Sequence, residues 1–251
     1  MELTELFYPQ FAVEIGSYYI EQGVEIEIFS SQDSYFDWAK VRFTEQYKPK
    51  LSFEKKTPSV IQLGYSGIFE EVFIGYVSQG YDGGGFMNEV NLKDDMVLLE
   101  ETFINNTFLN TTPQEMISYF LKQAGVTDFK LSSQIYPERK QVPIRKMTVI
   151  QAINAVHAAW GIKKKFFFSS GVFYWDEKPK QTKIYTFEYG VNILTLTRIS
   201  GVWELETVSV PFVKHSHTIN VVHPQVNGTF EVKKVVTATN ESGFIRTKIY
   251  F

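Results

Sequence analysis

The sequence predicts a mainly β protein of the α+β class, in which two β-barrel units are interrupted by a small α+β insert. Two short helices with clear start and stop signals sit mid-chain, and strand-like alternation fills the stretches on both sides. Composition agrees: Val, Ile, Thr, Phe and Tyr are plentiful, and Gly and Pro fall at breaks between apolar segments, not in runs. At this length folding removes roughly 70–75% of the extended chain's surface from water, so the core needs no covalent staples.

The first β unit is assigned to residues 1–110. Alternation begins over Phe11 to Ile15, and a tight turn at Glu21, Gln22 and Gly23 leads into the next strand. There Val24, Ile26 and Ile28 face one way while Glu25 and Glu27 face the other. The stretch from Tyr35 to Phe43 ends as a strand, with room for a turn of helix before it. Ser59 to Tyr65 and Ile68 to Ser78 read as strands around a turn at Ser66 and Gly67. The run Gly80, Tyr81, Asp82, Gly83, Gly84, Gly85 then interrupts, before a strand from Glu89 to Leu99, and the unit closes near Phe108.

The insert is assigned to residues 111–182. Its first helix has Thr112 as N-cap, Pro113 at the first helical position, Glu115 in the first turn and Gly125 at the close. Met116, Ile117, Phe120, Leu121 and Ala124 make one stripe on it. The second helix runs from Thr148 to Gly161, with Val149, Ala152, Ile153, Val156 and Trp160 at the same spacing and Gly161 placed for a left-handed C-cap. A one-sided helix must lay its face on something. The adjacent hairpin supplies that partner: Lys165 to Phe168, a turn at Ser169, Ser170 and Gly171, then Val172 to Trp175.

The second β unit, residues 183–251, starts near Lys183. Its strand from Val202 to Val208 again puts two carboxylates, Glu204 and Glu206, on one face. Strands follow over His217 to Val222, Thr229 to Thr239 and Arg246 to Phe251, separated by turns at Pro224 to Gly228 and at Asn240 to Gly243. An acidic-faced strand in each unit raises duplication as a reading, although identity between the halves is too low to make it a sequence repeat.

Several function classes fall away. There is no cysteine, which excludes disulfides and thiolate metal sites and suits a reducing compartment. No apolar run approaches the roughly 20 residues of a membrane span, and the N-terminal residues are wrong for a signal peptide, so the protein is expected to be used without Sec export. The net charge of -3 argues against a broad nucleic-acid surface. Lys163, Lys164 and Lys165 follow a helix C-terminus and answer its dipole. His215 and His217 are two apart and would share a strand face, a geometry open to metal ligation, but the nearby carboxylate is Glu231 alone and structural roles are favoured. The Gly80–Gly85 run lacks the Lys-Ser/Thr of a phosphate loop and reads as a flexible loop. No Gly-x-Ser-x-Gly elbow or other catalytic constellation is present. The expectation is a non-enzyme without catalytic, metal or cofactor site.

The order and spacing of these elements carry a resemblance. Val24 to Ile28, Phe36 to Trp38 with Arg42 and Phe43, Leu63 to Tyr65, and Val72 to Val77 are its marks in the first unit. In the insert they are Thr112 to Ile117 leading to Gly125, and Thr148 to Ile153 leading to Gly161. At the end they are His217 to Pro224 and Gly228 to Val232. Together these resemble the baseplate hub proteins of contractile phage tails and phage-tail-like bacteriocins. This is the late control protein D family, similar to the N-terminal hub part of type VI secretion spike proteins.

The resemblance implies two tube-type β-barrel domains per subunit and a homotrimer of pseudo-sixfold symmetry that joins the hexameric tail tube to a trimeric central spike. A closed ring leaves no free heterologous interface to polymerise, while its two axial faces stay available for different partners. It further implies tape-measure and baseplate wedge proteins as neighbours, and a tail-baseplate location in a virion or bacteriocin particle assembled in the bacterial host cytoplasm. Because the chain stops at Phe251, the spike is expected to be a separate polypeptide. Within such a ring Glu25, Glu27, Glu204 and Glu206 are candidates for channel-lining positions, where a negative wall repels passing nucleic acid; ordinary solvent-facing positions are the equal alternative. The Gly80–Gly85 loop is a candidate assembly loop. The competing reading is a carbohydrate- or receptor-binding β protein of the same tail, with Tyr18, Tyr19, Tyr35 and Trp38 as its platform. A cell-wall hydrolase is disfavoured because no room remains for its domain.

Overall fold

A computed structural model of the chain describes residues 8–44, 47, 51–81, 88–239 and 244–251. The chain divides into two compact units: the residues up to Asp94 together with Pro179–Phe251, and Asp95–Lys178. The fold is mainly β with a small helical insert.

In the first unit the N-terminal part supplies β1 (Pro9–Ile15), β2 (Tyr18–Ile20), β3 (Val24–Ser31), β4 (Trp38–Phe43), β5 (Pro58–Tyr65), β6 (Ile68–Val77) and β7 (Glu89–Lys93). The insert supplies α1 (Met96–Glu101), β8 (Phe103–Thr111), α2 (Pro113–Gln123), β9 (Phe129–Leu131), β10 (Arg139–Thr148), α3 (Val149–Trp160), β11 (Phe166–Ser169) and β12 (Val172–Trp175). The C-terminal part supplies β13 (Tyr185–Glu188), β14 (Thr195–Ile199), β15 (Val202–Val208), β16 (Thr218–His223), β17 (Val226–Glu231), β18 (Lys234–Thr239) and β19 (Ile245–Tyr250).

One sheet of 11 strands runs through both parts of the first unit in the order β14-β15-β19-β18-β3-β4-β7-β6-β5-β1-β2. Its central seam is the antiparallel pairing of β18 with β3, from Lys234 opposite Ser31 to Ala238 opposite Glu27. Strict alternation buries Val24, Ile26 and Ile28 on β3 and Val235, Thr237 and Thr239 on β18, so a one-residue slip would turn both strands inside out. Two cores lie under this sheet. One gathers Val13, Ile15, Ile26, Val41, Leu63 and Leu92; the other gathers Phe187, Leu205, Ile219, Val221, Ile249 and Phe251. Strand β19 feeds both, with Ile245 in the first and Ile249 in the second. A three-stranded sheet, β13-β16-β17, contributes Phe187, Ile219 and Val221 to the second core. Where β6 approaches β7 only glycine fits. A Cβ at Gly75 would lie 2.1 Å from the Lys93 carbonyl oxygen.

In the second unit α2 and α3 begin with complete capping boxes. The Thr112 side chain accepts from the Glu115 N–H, and the Glu115 carboxylate accepts from the Thr112 N–H at 2.8 Å; Thr148 and Gln151 repeat the arrangement. These hydrogen bonds hold the Glu115 carboxyl below the usual carboxylate range. Gly161 takes φ +67 at the end of α3, the left-handed cap that its place predicted. Met116, Ile117, Phe120 and Leu121 of α2 and Val149, Ile150, Ile153 and Val156 of α3 are buried. The expected hairpin is β11-β12, with β9 added in parallel. Its buried Trp175 donates from Nε1 to His157 Nε2 at 2.6 Å, and burial pushes the His157 imidazole below its usual pKa.

Three details differ from the sequence reading. Glu89 to Leu99 is a strand only to Lys93 and a helix from Met96, because an apolar run this short fits either period and Asp94-Asp95 breaks it. The Thr229 to Thr239 segment is two strands, β17 and β18, which belong to different sheets. Residues Phe103–Thr111, assigned above to the first β unit with its boundary at 110, pair with Arg139–Thr148 inside the second compact unit. That pairing is long-range and leaves no local signature.

Candidate functional site: the polar face of the continuous sheet

Residues directly opposite one another in a ladder share a face. Thus Glu206 faces Lys248, Lys248 faces Val236, Val236 faces Phe29, Phe29 faces Trp38 and Trp38 faces Lys93. With the two-residue period of a strand, this row puts Glu204, Glu206, Glu25 and Glu27 on one face of one sheet. These four residues come from opposite ends of the sequence, and the β3–β18 seam makes them one surface.

The face is of mixed sign, not a negative wall. Arg42 lies opposite Glu25 and bonds it at 2.9 Å, and it reaches Glu89 at 3.5 Å. Lys40 lies opposite Glu27. Lys248 Nζ donates to Glu204 Oε1 at 2.9 Å. Hydrogen bonds from Lys248 and Tyr250 hold the Glu204 carboxyl below its usual range, and Glu204 in turn raises Lys248. Tyr250 is pushed up to about 12, by burial first and then by its bond to Glu204. Phe29 and Trp38 stack 5.3 Å apart with planes within 3°. Lys40 sits over Trp38, and Lys234 lies 3.5 Å from the Tyr250 ring centroid. A cleft of about 470 Å³ opens here beside Ser31, Asp33, Val202, Glu204, Lys234 and Tyr250. It offers charge pairs and the Tyr250 ring face.

Of the proposed assembly loop, Gly80 and Tyr81 are described, and Tyr81 exchanges backbone hydrogen bonds of 2.7 and 2.6 Å with Phe53. Asp82, Gly83, Gly84 and Gly85 lie outside the described residues, as does the turn at 240–243. The three clustered histidines go to separate tasks. His217 Nδ1 accepts from the Lys214 N–H, His223 Nδ1 accepts from the Gln225 N–H while its ring meets Tyr189 edge-on, and His215 is fully buried beside Ser216. His215 and His217 sit in the turn before β16, so the shared strand face expected of them does not exist. Among the aromatics weighed as a glycan platform, Tyr18 packs on Phe53, Tyr35 on Phe36 and Trp38 on Phe29, each ring engaged by a neighbour.

Sequence reasoning missed two features. One is the exposed apolar border of the sheet at β14, where Val191, Leu194 and Ile199 are 62%, 50% and 64% exposed. The other is a polar cluster around Asp37 and His215, residues too far apart in sequence to signal one another.

No protein-family model and no curated protein matches the sequence. Solved structures do match the fold. The 43 kDa tail protein of prophage MuSo2 from Shewanella oneidensis superposes with a TM-score of 0.73 at 10% identity, over 97% of this chain and 98% of that one. The fold is a phage tail-protein fold. A tail protein from Neisseria meningitidis MC58 shares it with a TM-score of 0.67 at 9% identity, over 97% and 96% of the two chains. The Escherichia coli c3393 protein, a type VI secretion component described as structurally similar to the T4 tail proteins gp27 and gp5, shares it with a TM-score of 0.64 at 12% identity, over 95% and 75%. The tail-protein fold therefore covers both β parts and the insert between them.

Proposed function

We propose that this chain is a structural baseplate hub. Three copies, each with two tube-type barrel domains, form a ring of pseudo-sixfold symmetry between a hexameric tail tube and a trimeric central spike. The observation that carries this reading is the single sheet shared by two separate cores and joined at β3–β18, within a fold that tail proteins share from end to end. Two similar β parts per chain give six similar wall segments in a trimer, which lets a threefold object meet a sixfold one.

In this assembly the polar face of the sheet lines the channel, with Glu25, Glu27, Glu204 and Glu206 among the lining residues. Its paired charges leave a passing polymer little net field to stick to. The β14 border, with Leu194 and Ile199 uncovered, meets a neighbouring copy, since an open apolar edge on a free subunit invites pairing. The Gly80–Gly85 segment is the proposed assembly contact with a neighbour. Tape-measure and wedge proteins complete the surroundings, the location is the baseplate of a virion or bacteriocin particle assembled in the host cytoplasm, and the role involves no catalysis and no sequence-specific nucleic-acid binding. Electron microscopy of the purified chain mixed with its tube and spike proteins tests the assignment: rings of threefold symmetry bridging the two support it, and absence of this chain from such complexes overturns it.

A further inference from the structure

The turn between β3 and β4 docks on the C-terminal part of the chain through side chains that surround a buried carboxyl. Gln32 N donates to the Lys233 carbonyl at 3.2 Å, Ser31 Oγ donates to the same carbonyl at 3.3 Å, and Ser216 Oγ donates to Gln32 Oε1 at 3.4 Å. At the centre, Asp37 Oδ2 accepts from Ser30 Oγ at 2.5 Å and Oδ1 accepts from the Ser31 N–H at 2.9 Å. His215 Nε2 lies 3.8 Å from Asp37 Oδ2, with its imidazole fully buried and its Nδ1 3.0 Å from Ser216 Oγ. The Asp37 side chain is 14% exposed, enough to exchange a proton with water.

We propose that Asp37 and His215 form a proton-sensitive lock between the two β parts of the chain, closed while the Asp37 carboxyl carries its proton and loosened when that proton leaves. The remaining charged groups around the pair do not replace it. Asp94 accepts from the Asp37 backbone N–H at 3.0 Å on the β7 side, and the Asp33 backbone N–H donates to Ser31 Oγ at 3.2 Å on the turn itself. Lys233 contributes its carbonyl. Lys214 interacts with Glu70 and Glu71, and His217 is kept below its usual pKa by burial and by Lys214. An ionised Asp37 would therefore sit in a buried setting beside the buried His215, where an imperfectly paired charge is costly.

The direction agrees with the environment of the acid. Burial pushes the Asp37 carboxyl up to about 7, against the hydrogen bonds from Ser30 and Ser31 that lower it. A raised folded-state value means that the stability tied to this group is fully present below the ordinary carboxylate pKa and is lost as pH rises through about 7.

Hydrogen exchange at the amides of Gln32 and Ser216, which bond the Lys233 and Val232 carbonyls, corrected for intrinsic chemistry, reads the lock directly. Raising the pH from about 5.5 to about 8.5 is expected to cut their protection about tenfold or more, while Asp37→Asn, which cannot ionise, flattens the response. Equal protection at both values, or an unchanged response in Asp37→Asn, overturns the proposal. If that variant does not fold, carboxyl 13C titration of the unmodified chain decides: a midpoint near neutrality supports the lock, and one at about 4 removes it.

Discussion

The side-chain oxygen of Thr239 accepts a 2.9 Å hydrogen bond from the backbone N–H of Ile26, 213 residues earlier in the chain. The β3–β18 register ends one step before, at Glu27 opposite Ala238, so the threonine replaces the ladder partner that Ile26 would otherwise lack. Replacing it by valine keeps the shape and orphans a buried donor. Thr239→Val is expected to lose about 1–3 kcal/mol, seen as a lower denaturation midpoint at constant slope.

Gly75 sits where β6 and β7 converge, and the obstacle to a side chain is backbone, not a movable side chain. Gly75→Ala must spread the two strands, at a cost of about 1–3 kcal/mol by analogy with overpacked cores. Thermal unfolding checks this, and an alanine variant as stable as the parent would show that the strands separate freely.

Tyr250 gives a second pH signature, opposite to that of an acid ionising early. Its hydroxyl is held protonated by burial and by Glu204, with a pKa of about 12 against an ordinary 10.0. The sign follows: this contribution is complete below the unfolded value and disappears as pH rises through about 12. Burial also raises Tyr65, Tyr174 and Tyr185, so ultraviolet titration of tyrosinate should show several late-ionising tyrosines, of which Glu204→Gln should bring the Tyr250 component toward the ordinary range. A titration that is identical in the variant contradicts the pairing.

The β14 border carries the assembly prediction. Leu194→Lys and Ile199→Lys place charges on residues already half or more exposed, so the free subunit should unfold as the parent does while self-association is lost. Sedimentation of the double variant as the same oligomer as the parent would move the interface elsewhere.

The helices were legible because their signals are local: Thr112 with Glu115, and Thr148 with Gln151, sit within one turn of the bonds that they make. The acidic faces of β3 and β15 were legible too, because strand alternation needs only neighbours. What sequence could not give is which strands meet. That Glu27 and Glu206 share a sheet depends on β18 joining β3, and that Lys40, Arg42 and Lys248 offset them depends on cross-strand register. The same limit hid the partnership of Asp37 and His215 and the pairing of β8 with β10, contacts that close long loops and imprint no spacing.

Native mass in solution, by light scattering on the purified chain alone and then with its tube and spike proteins, tests the hub assignment most directly. A three-copy particle, formed alone or on adding the spike, is the expected result. A monomer at every concentration that ignores both partners would contradict the account.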